Sequence, residues 1–255
     1  MKKLALIILA CTIGLGAMTS CSGGNTITMA THAAFPPFEY VTDRNKALVD
    51  EFSGVDVAIA MEIAKETGKT LKVENMDFDS VLVAVPSGKV DFAAAGMTMN
   101  ETRAKTMDFS DPYLVAVQYI IVKGDNTDIN SAKDLVDKRV GAVTGYTGYD
   151  VCSADLGIKD LQGFKQGVDA ISELKNGKID AVVIDSFTAN ALVAKNPDLK
   201  VIQDPTAFED ENYAIAVKKG NKELLDKINS VLKRLKDSGE LDQLVQKYSE
   251  EAVVQ

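Results

Sequence analysis

The chain has 255 residues, a formal charge of −9, 46% hydrophobic and 25% charged residues, and no tryptophan. That length accommodates one large domain or two modest lobes, each built around its own core. The acidic balance, the lack of a basic cluster and an aromatic content of 6% argue against a nucleic-acid partner, which needs a cationic track or a stacking platform.

Lys2 and Lys3 precede an apolar run over 4–17, and small residues follow it. The run is too short to span a bilayer comfortably, so residues 1–20 read as a secretory signal. Met18-Thr19-Ser20-Cys21 resembles a bacterial lipoprotein box, which would make Cys21 the lipidated first residue of the mature chain. The other reading is an ordinary cleaved signal with Cys21 left free. Residues 21–26 would be a short tether, holding a soluble body at a membrane surface without spanning it. Without residues 1–20 the chain keeps 26 cations against 37 anions. Beyond Cys21 it then keeps Cys152 alone, so no disulfide framework is expected. One histidine, His32, excludes Cys–His metal patterns, and no cofactor is expected. Cys152 reads as a small buried hydrophobe rather than a nucleophile.

Apolar strands then alternate with amphipathic helices, an α/β pattern. A first strand is predicted over 26–32 and a helix over 54–68, with Asp56 near its start. A second strand follows over 71–76, a short helix over 79–88 closed by Pro86 and Gly88, and a third strand over 90–96. A long apolar strand is predicted over 115–124. The pattern begins again with a short helix at 131–135, a strand at 139–143 and a helix from Thr147 after the Gly145 turn. A helix over 168–177, a strand over 179–185, a helix over 186–196 and strands over 199–203 and 212–220 come next. Leu224, Leu225, Ile228, Val231, Leu232 and Leu235 lie at helical spacing, and a last helix covers 240–251. Two small α/β lobes with a cleft between them are expected, and ligands in such folds bind in the cleft.

Several residues have two readings. Arg103 sits near the start of a helix predicted after Asn100, against the helix dipole. Either it is a solvated surface cation or its planar fork meets an anion. Asp185 ends the apolar strand 179–185, where it could accept from an ammonium, cap the next helix, or do both. Thr147 could cap its helix with Asp150 three residues on. Phe35, beside two prolines, and Phe78 could be plain core or could grip a ligand. His32 reads as a structural histidine, since no Ser–His–Asp order is evident.

Six segments taken together, "ATHAAFPPFEY", "GVDVAIAMEIAKE", "MDFDSVLVAVPSGKVDFAAAGMTMNETRAKTMDFSDPY", "VGAVTGYTGYD", "IDAVVIDSF" and "NYAIAVKKGN", resemble the periplasmic polar amino-acid-binding proteins that feed ABC importers. The resemblance covers nearly all of the chain after the signal. It implies the two-lobed periplasmic-binding-protein fold (type II), which closes like a hinge on a free L-amino acid and then meets a permease. Lobe one would hold 27–113 and 213–255, and lobe two 117–209, with hinge strands near 113–117 and 209–213. It implies a monomer, lipid-anchored at Cys21 in the periplasm or at the outer face of the cytoplasmic membrane. Arg103 would clamp the α-carboxylate, helped by N–H groups near Thr98, Asn100 and Thr147. Asp185 would hold the α-ammonium with the Gly96 carbonyl and the Thr98 hydroxyl, and Phe35 and Phe78 would sandwich the side chain.

The chain departs from that pattern at the side-chain reader. Many relatives have Asp or Glu where His32 stands, and several have Thr where Tyr146 stands. Val143 and Ile184 replace polar residues on the second-lobe wall. The expectation is a neutral side chain, polar or aliphatic, although Glu39 could compensate for the missing acid. The alternatives are an enzyme like the cyclohexadienyl dehydratases that share the scaffold, or an amino-acid sensor.

Overall fold

The computed structural model describes residues 24–254; the signal segment and Cys21 lie outside the described residues. β1 (Thr26–Thr31) opens the chain with Ile27, Met29 and Ala30 inward. β2 (Ala34–Phe35), β3 (Glu39–Val41) and β4 (Phe52–Ser53) fold into a small antiparallel sheet that composition does not announce. α1 (Val55–Thr67), β5 (Thr70–Asn75), α2 (Phe78–Ser87) and β6 (Phe92–Ala93) follow, then α3 (Glu101–Ala104) and β7 (Met107–Phe109). The strand predicted over 90–96 is paired only at Phe92 and Ala93, because the chain turns toward the cleft at Gly96.

The strand expected over 115–124 is two strands. β8 (Leu114–Ala116) and β9 (Gln118–Lys123) belong to different sheets and are separated by Val117. A 3-10 turn (Ala132–Leu135), β10 (Arg139–Val143), α4 (Thr147–Asp150) and a π-helical turn (Val151–Asp155) come next. β11 (Asp160–Phe164), whose residues alternate weakly, has no counterpart in the sequence reading. α5 (Gly167–Lys175), β12 (Ala181–Asp185), α6 (Ser186–Ala194) and β13 (Leu199–Ile202) complete this region. The strand expected over 212–220 also divides, into β14 (Glu211–Tyr213) and β15 (Ala216–Lys218). Both long runs are mostly apolar, and Gln118, where β9 begins, is the polar residue nearest the first division.

Two five-stranded sheets result, ordered β5-β1-β6-β15-β7 and β11-β10-β12-β9-β13. In each, four strands run one way and a single strand, β15 or β9, runs against them. The chain passes between them on β8 and returns on β14, which pair antiparallel with Glu211 opposite Ala116. α7 (Lys222–Asp237) buries Leu224, Ile228, Val231, Leu232 and Leu235 and packs on α1. α8 (Glu240–Val254) touches α7 and α1 but also α6, so the C-terminal helix leans on both lobes. Among the described residues no helix is long and apolar enough to cross a membrane.

Candidate functional site

A narrow gap lies between the lobes. The first lobe lines it with Phe35, Phe78, Ala95, Gly96, Thr98 and Arg103, and the second with Tyr146, Thr147 and Asp185. Eight of the ten candidate binding residues therefore share one cavity. Asn100 and His32 do not line it.

Arg103 is 7% exposed, so the solvated reading of this residue does not hold. The dipole objection also falls away: α3 is only four residues long and Arg103 sits in its last turn. Asn100 does cap α3, its Oδ1 accepting from the Arg103 N–H at 2.9 Å. The guanidinium is held by three contacts. Nη1 donates to the Thr98 carbonyl at 2.7 Å, Nη2 donates to the Gly145 carbonyl of the opposite lobe at 3.0 Å, and Cζ lies 5.2 Å from the Phe78 ring centroid. A guanidinium has about five N–H donors in a fixed plane, so these bonds orient it and leave donors uncommitted. Burial pulls its pKa below the usual value, while the Glu211, Asp150 and Asp185 charges push it back up; it stays charged.

Asp185 closes β12 and is 3% exposed. Its side chain does not cap α6. Oδ1 instead accepts from the Tyr213 hydroxyl at 2.5 Å. Burial, reinforced by the Glu211 carboxylate, pushes its pKa up to about 7, against the stabilising Tyr213 bond. It is a carboxylate short of a cation. Thr147 does not cap α4 either; Tyr146 occupies the cap position, and no capping box with Asp150 forms. The Thr147 hydroxyl donates to Glu211 Oε2 at 2.7 Å.

Two glycines let the backbone reach the cavity. Gly96 has φ +50°, and a Cβ there would stand 2.3 Å from Phe35 Cε1. Its N–H is anchored by Asp56 Oδ2 at 2.8 Å, while Asp56 Oδ1 accepts from the Tyr113 hydroxyl at 2.7 Å. Burial raises the Asp56 pKa to about 6. Gly145 has φ +83°, and a Cβ would meet Asp79 Oδ1 at 2.3 Å; this turn carries the carbonyl that Arg103 uses.

Phe35, Phe78 and Tyr146 pack edge to face, with Tyr146 centroids 5.2 Å from Phe35 and 4.8 Å from Phe78. His32 is buried, and its Nδ1 shares a 2.8 Å hydrogen bond with the Tyr146 hydroxyl across the lobes. Burial lowers its pKa, only partly offset by Asp77, so it is neutral near pH 7. Val143 and Ile184, expected as an apolar cavity wall, are each 2% exposed and do not line the gap. Ile184 points toward Gly167 of α5 instead. The sequence reading missed Glu211, Gln118 and Tyr213. Glu209, Asp210 and Glu211 form a run of like charges, and only the third turns inward, a choice that the strand pleat makes. Cys152 is fully buried with its thiol pushed up to about 12, as an inert core residue should be.

Two α/β lobes joined by a two-stranded crossing, with a lined gap between them, define a two-lobed periplasmic-binding-protein fold. Residues 27–251 match the bacterial extracellular solute-binding proteins, family 3, and the chain belongs to that family. It is 35% identical to the arginine-binding extracellular protein ArtP of Bacillus subtilis, over 97% of this chain and 98% of that one. It is 32% identical to a probable histidine-binding protein of Neisseria gonorrhoeae, over 97% and 96%. Among solved structures, the amino acid ABC transporter substrate-binding protein AbpA of Streptococcus pneumoniae, bound to L-arginine, superposes with a TM-score of 0.82. That likeness has 34% identity and covers 90% of this chain and 96% of the other.

Proposed function

We propose that this protein captures a free L-amino acid between its lobes and presents it to the permease of an ABC importer. One observation carries this reading: a buried guanidinium with uncommitted donors and a buried, cation-poor carboxylate line the same cavity. An α-amino acid carries both complementary charges on one carbon. Arg103 would take the α-carboxylate, with the N–H groups near Thr147 in support. Asp185, the Gly96 carbonyl and the Thr98 hydroxyl would take the α-ammonium, and Phe35, Phe78 and Tyr146 the side chain. The lobes, 27–113 with 213–255 and 117–209, would close about β8 and β14. Capture needs no chemistry. His32 is tied to Tyr146 and Glu39 is buried, so neither is paired with a nucleophile, and the named relatives are binding proteins.

Two side-chain classes compete. A neutral side chain fits the uncharged His32 and the aromatic walls. A cationic side chain is favoured by a separate observation: both carboxyl oxygens of Glu39, which is fully buried, lack a hydrogen-bond partner. Burial and the nearby Asp56 and Asp185 hold its pKa well above the usual range; it does not line the gap, so a guanidinium or ammonium would have to reach past the lining residues to meet it. The relatives named for arginine and histidine point the same way. Calorimetry against all twenty L-amino acids decides. Tightest binding of arginine or lysine selects the second class, tightest binding of glutamine or leucine the first, and binding of none defeats the function. Recovery of unchanged ligand separates binding from an enzyme acting on prephenate or arogenate. Lipid anchoring at Cys21 predicts a membrane-bound protein that Cys21→Ala releases. A monomeric species in light scattering, with and without ligand, fits a protein that works one cleft at a time.

A further inference from the structure

Glu211 is 9% exposed and lies on β14, where the chain recrosses between the lobes. Its Oε2 accepts two hydroxyl protons, one from each lobe: Thr98 at 2.6 Å and Thr147 at 2.7 Å. Its Oε1 accepts from Gln118 Nε2 at 3.0 Å, and the same amide donates to Thr147 Oγ1 at 3.3 Å. Thr98 and Thr147 line the cavity, and Glu211 does not.

A hydroxyl has one proton and two lone pairs, and a carboxylate only accepts. Both threonine protons are therefore directed away from the cavity. Thr98 keeps two lone pairs, and Thr147, already accepting from Gln118, keeps one. Resting on the amino-acid reading, we infer that Glu211 is a positioning residue: it turns the Thr98 and Thr147 hydroxyls into obligate acceptors for the ligand's ammonium and does so only when the lobes are closed. A single oxygen can hold hydroxyls from both lobes only in the closed form, so polarity and closure are set together. The arrangement discriminates against solutes that carry a neutral acceptor where an amino acid carries its ammonium. Those would place lone pair against lone pair, leaving buried acceptors unpaired.

The test is a double-mutant cycle on the full mature chain. The probe is L-arginine, replaced by whichever of the twenty amino acids the wild type binds tightest if that is another. Glu211→Met removes the acceptor at similar volume, and Thr98→Val removes the hydroxyl. Glu211→Gln is the milder variant: its amide oxygen can still accept the two hydroxyls, and Gln118, whose Oε1 lacks a partner, can flip to accept the new N–H at the loss of its bond to Thr147. Glu211→Met should raise Kd about tenfold, mainly through faster release, and Glu211→Gln less. In the Thr98→Val background Glu211→Met should add under about threefold, because contacting residues in one network are non-additive. Melting temperatures of the empty variants check that they fold. Fully additive losses, or an unchanged Kd in a folded Glu211→Met, overturn the inference while leaving amino-acid capture intact. Failure of the wild type to bind any amino acid overturns both.

Discussion

The two lobes bring unlike halves to the cavity. The first lobe's half is largely assembled from its own segment: Asn100 caps α3, the Thr98 carbonyl and the Phe78 ring hold Arg103, and Asp56 pins Gly96. The second lobe's half borrows its partners. Asp185 is satisfied by Tyr213, and Thr147 by Glu211, both from β14, while Tyr146 leans on His32 and Phe35 of the first lobe. The difference teaches an order of events. On the proposed reading, a guanidinium held mainly by its own lobe would receive a carboxylate while the lobes are apart, and the ammonium site would be completed only as they meet.

The largest effect should come from breaking the self-contained half. Arg103→Ala leaves the ligand's carboxylate buried without a partner, a loss of about 2–5 kcal/mol, and calorimetry should show Kd rising a hundredfold or more. Asp185→Asn comes next and separates affinity from stability. The ammonium loses a charged acceptor, for about 1.5–3 kcal/mol in binding. The empty protein should melt higher, because a buried carboxyl that resists ionisation is replaced by a neutral isostere that still accepts from Tyr213. A lower melting temperature would contradict the burial argument.

A smaller, graded effect should appear with pH. In the empty protein Asp185 titrates near 7, and a bound ammonium favours its ionised form. The complex then holds fewer protons than the empty protein, so affinity rises with pH, by at most about tenfold per unit below 7. Thermal stability without ligand has two opposed contributions. Asp185 near 7 and Asp56 near 6 hold protons more tightly folded than unfolded, so they add stability as pH falls through those values. His32, with its pKa lowered, takes stability away as pH falls below about 6.5. Titrating Kd and melting temperature over the same pH range near 7 should show affinity rising with pH while the melting temperature of the empty protein falls. The smallest change should follow Lys165→Ala. Its 2.7 Å ion pair with Asp77 spans the lobes, but both side chains are exposed, and Kd should move by less than about threefold.

The residues that made the site legible in sequence were those whose chemistry is unusual for their place. Asp185 ends an apolar strand, Arg103 follows a cap, and Gly96 and Gly145 stop strands. Asp185, Arg103 and Gly96 line the cavity, and Gly145 supplies a carbonyl that Arg103 uses. The capping roles assigned to Asp185 and Thr147 did not survive, because partners from β14 offered stronger, buried acceptors and donors. The apolar wall of Val143 and Ile184 failed for a related reason. Alternation says that a strand residue faces one side or the other, but not which side meets the cleft.

What the sequence determined alone was the periodic content: the α/β alternation, the amphipathic face of α7, and the small and charged residues where strands end. These are local properties, encoded within a few residues of where they act. Only the tertiary structure decided where the long apolar runs divide between sheets, that α8 braces both lobes, and that Glu211 rather than Glu209 or Asp210 turns inward. Those outcomes depend on groups more than ninety residues apart sharing one buried oxygen or one ladder, and the cost of leaving such groups unpaired is not written in any single segment.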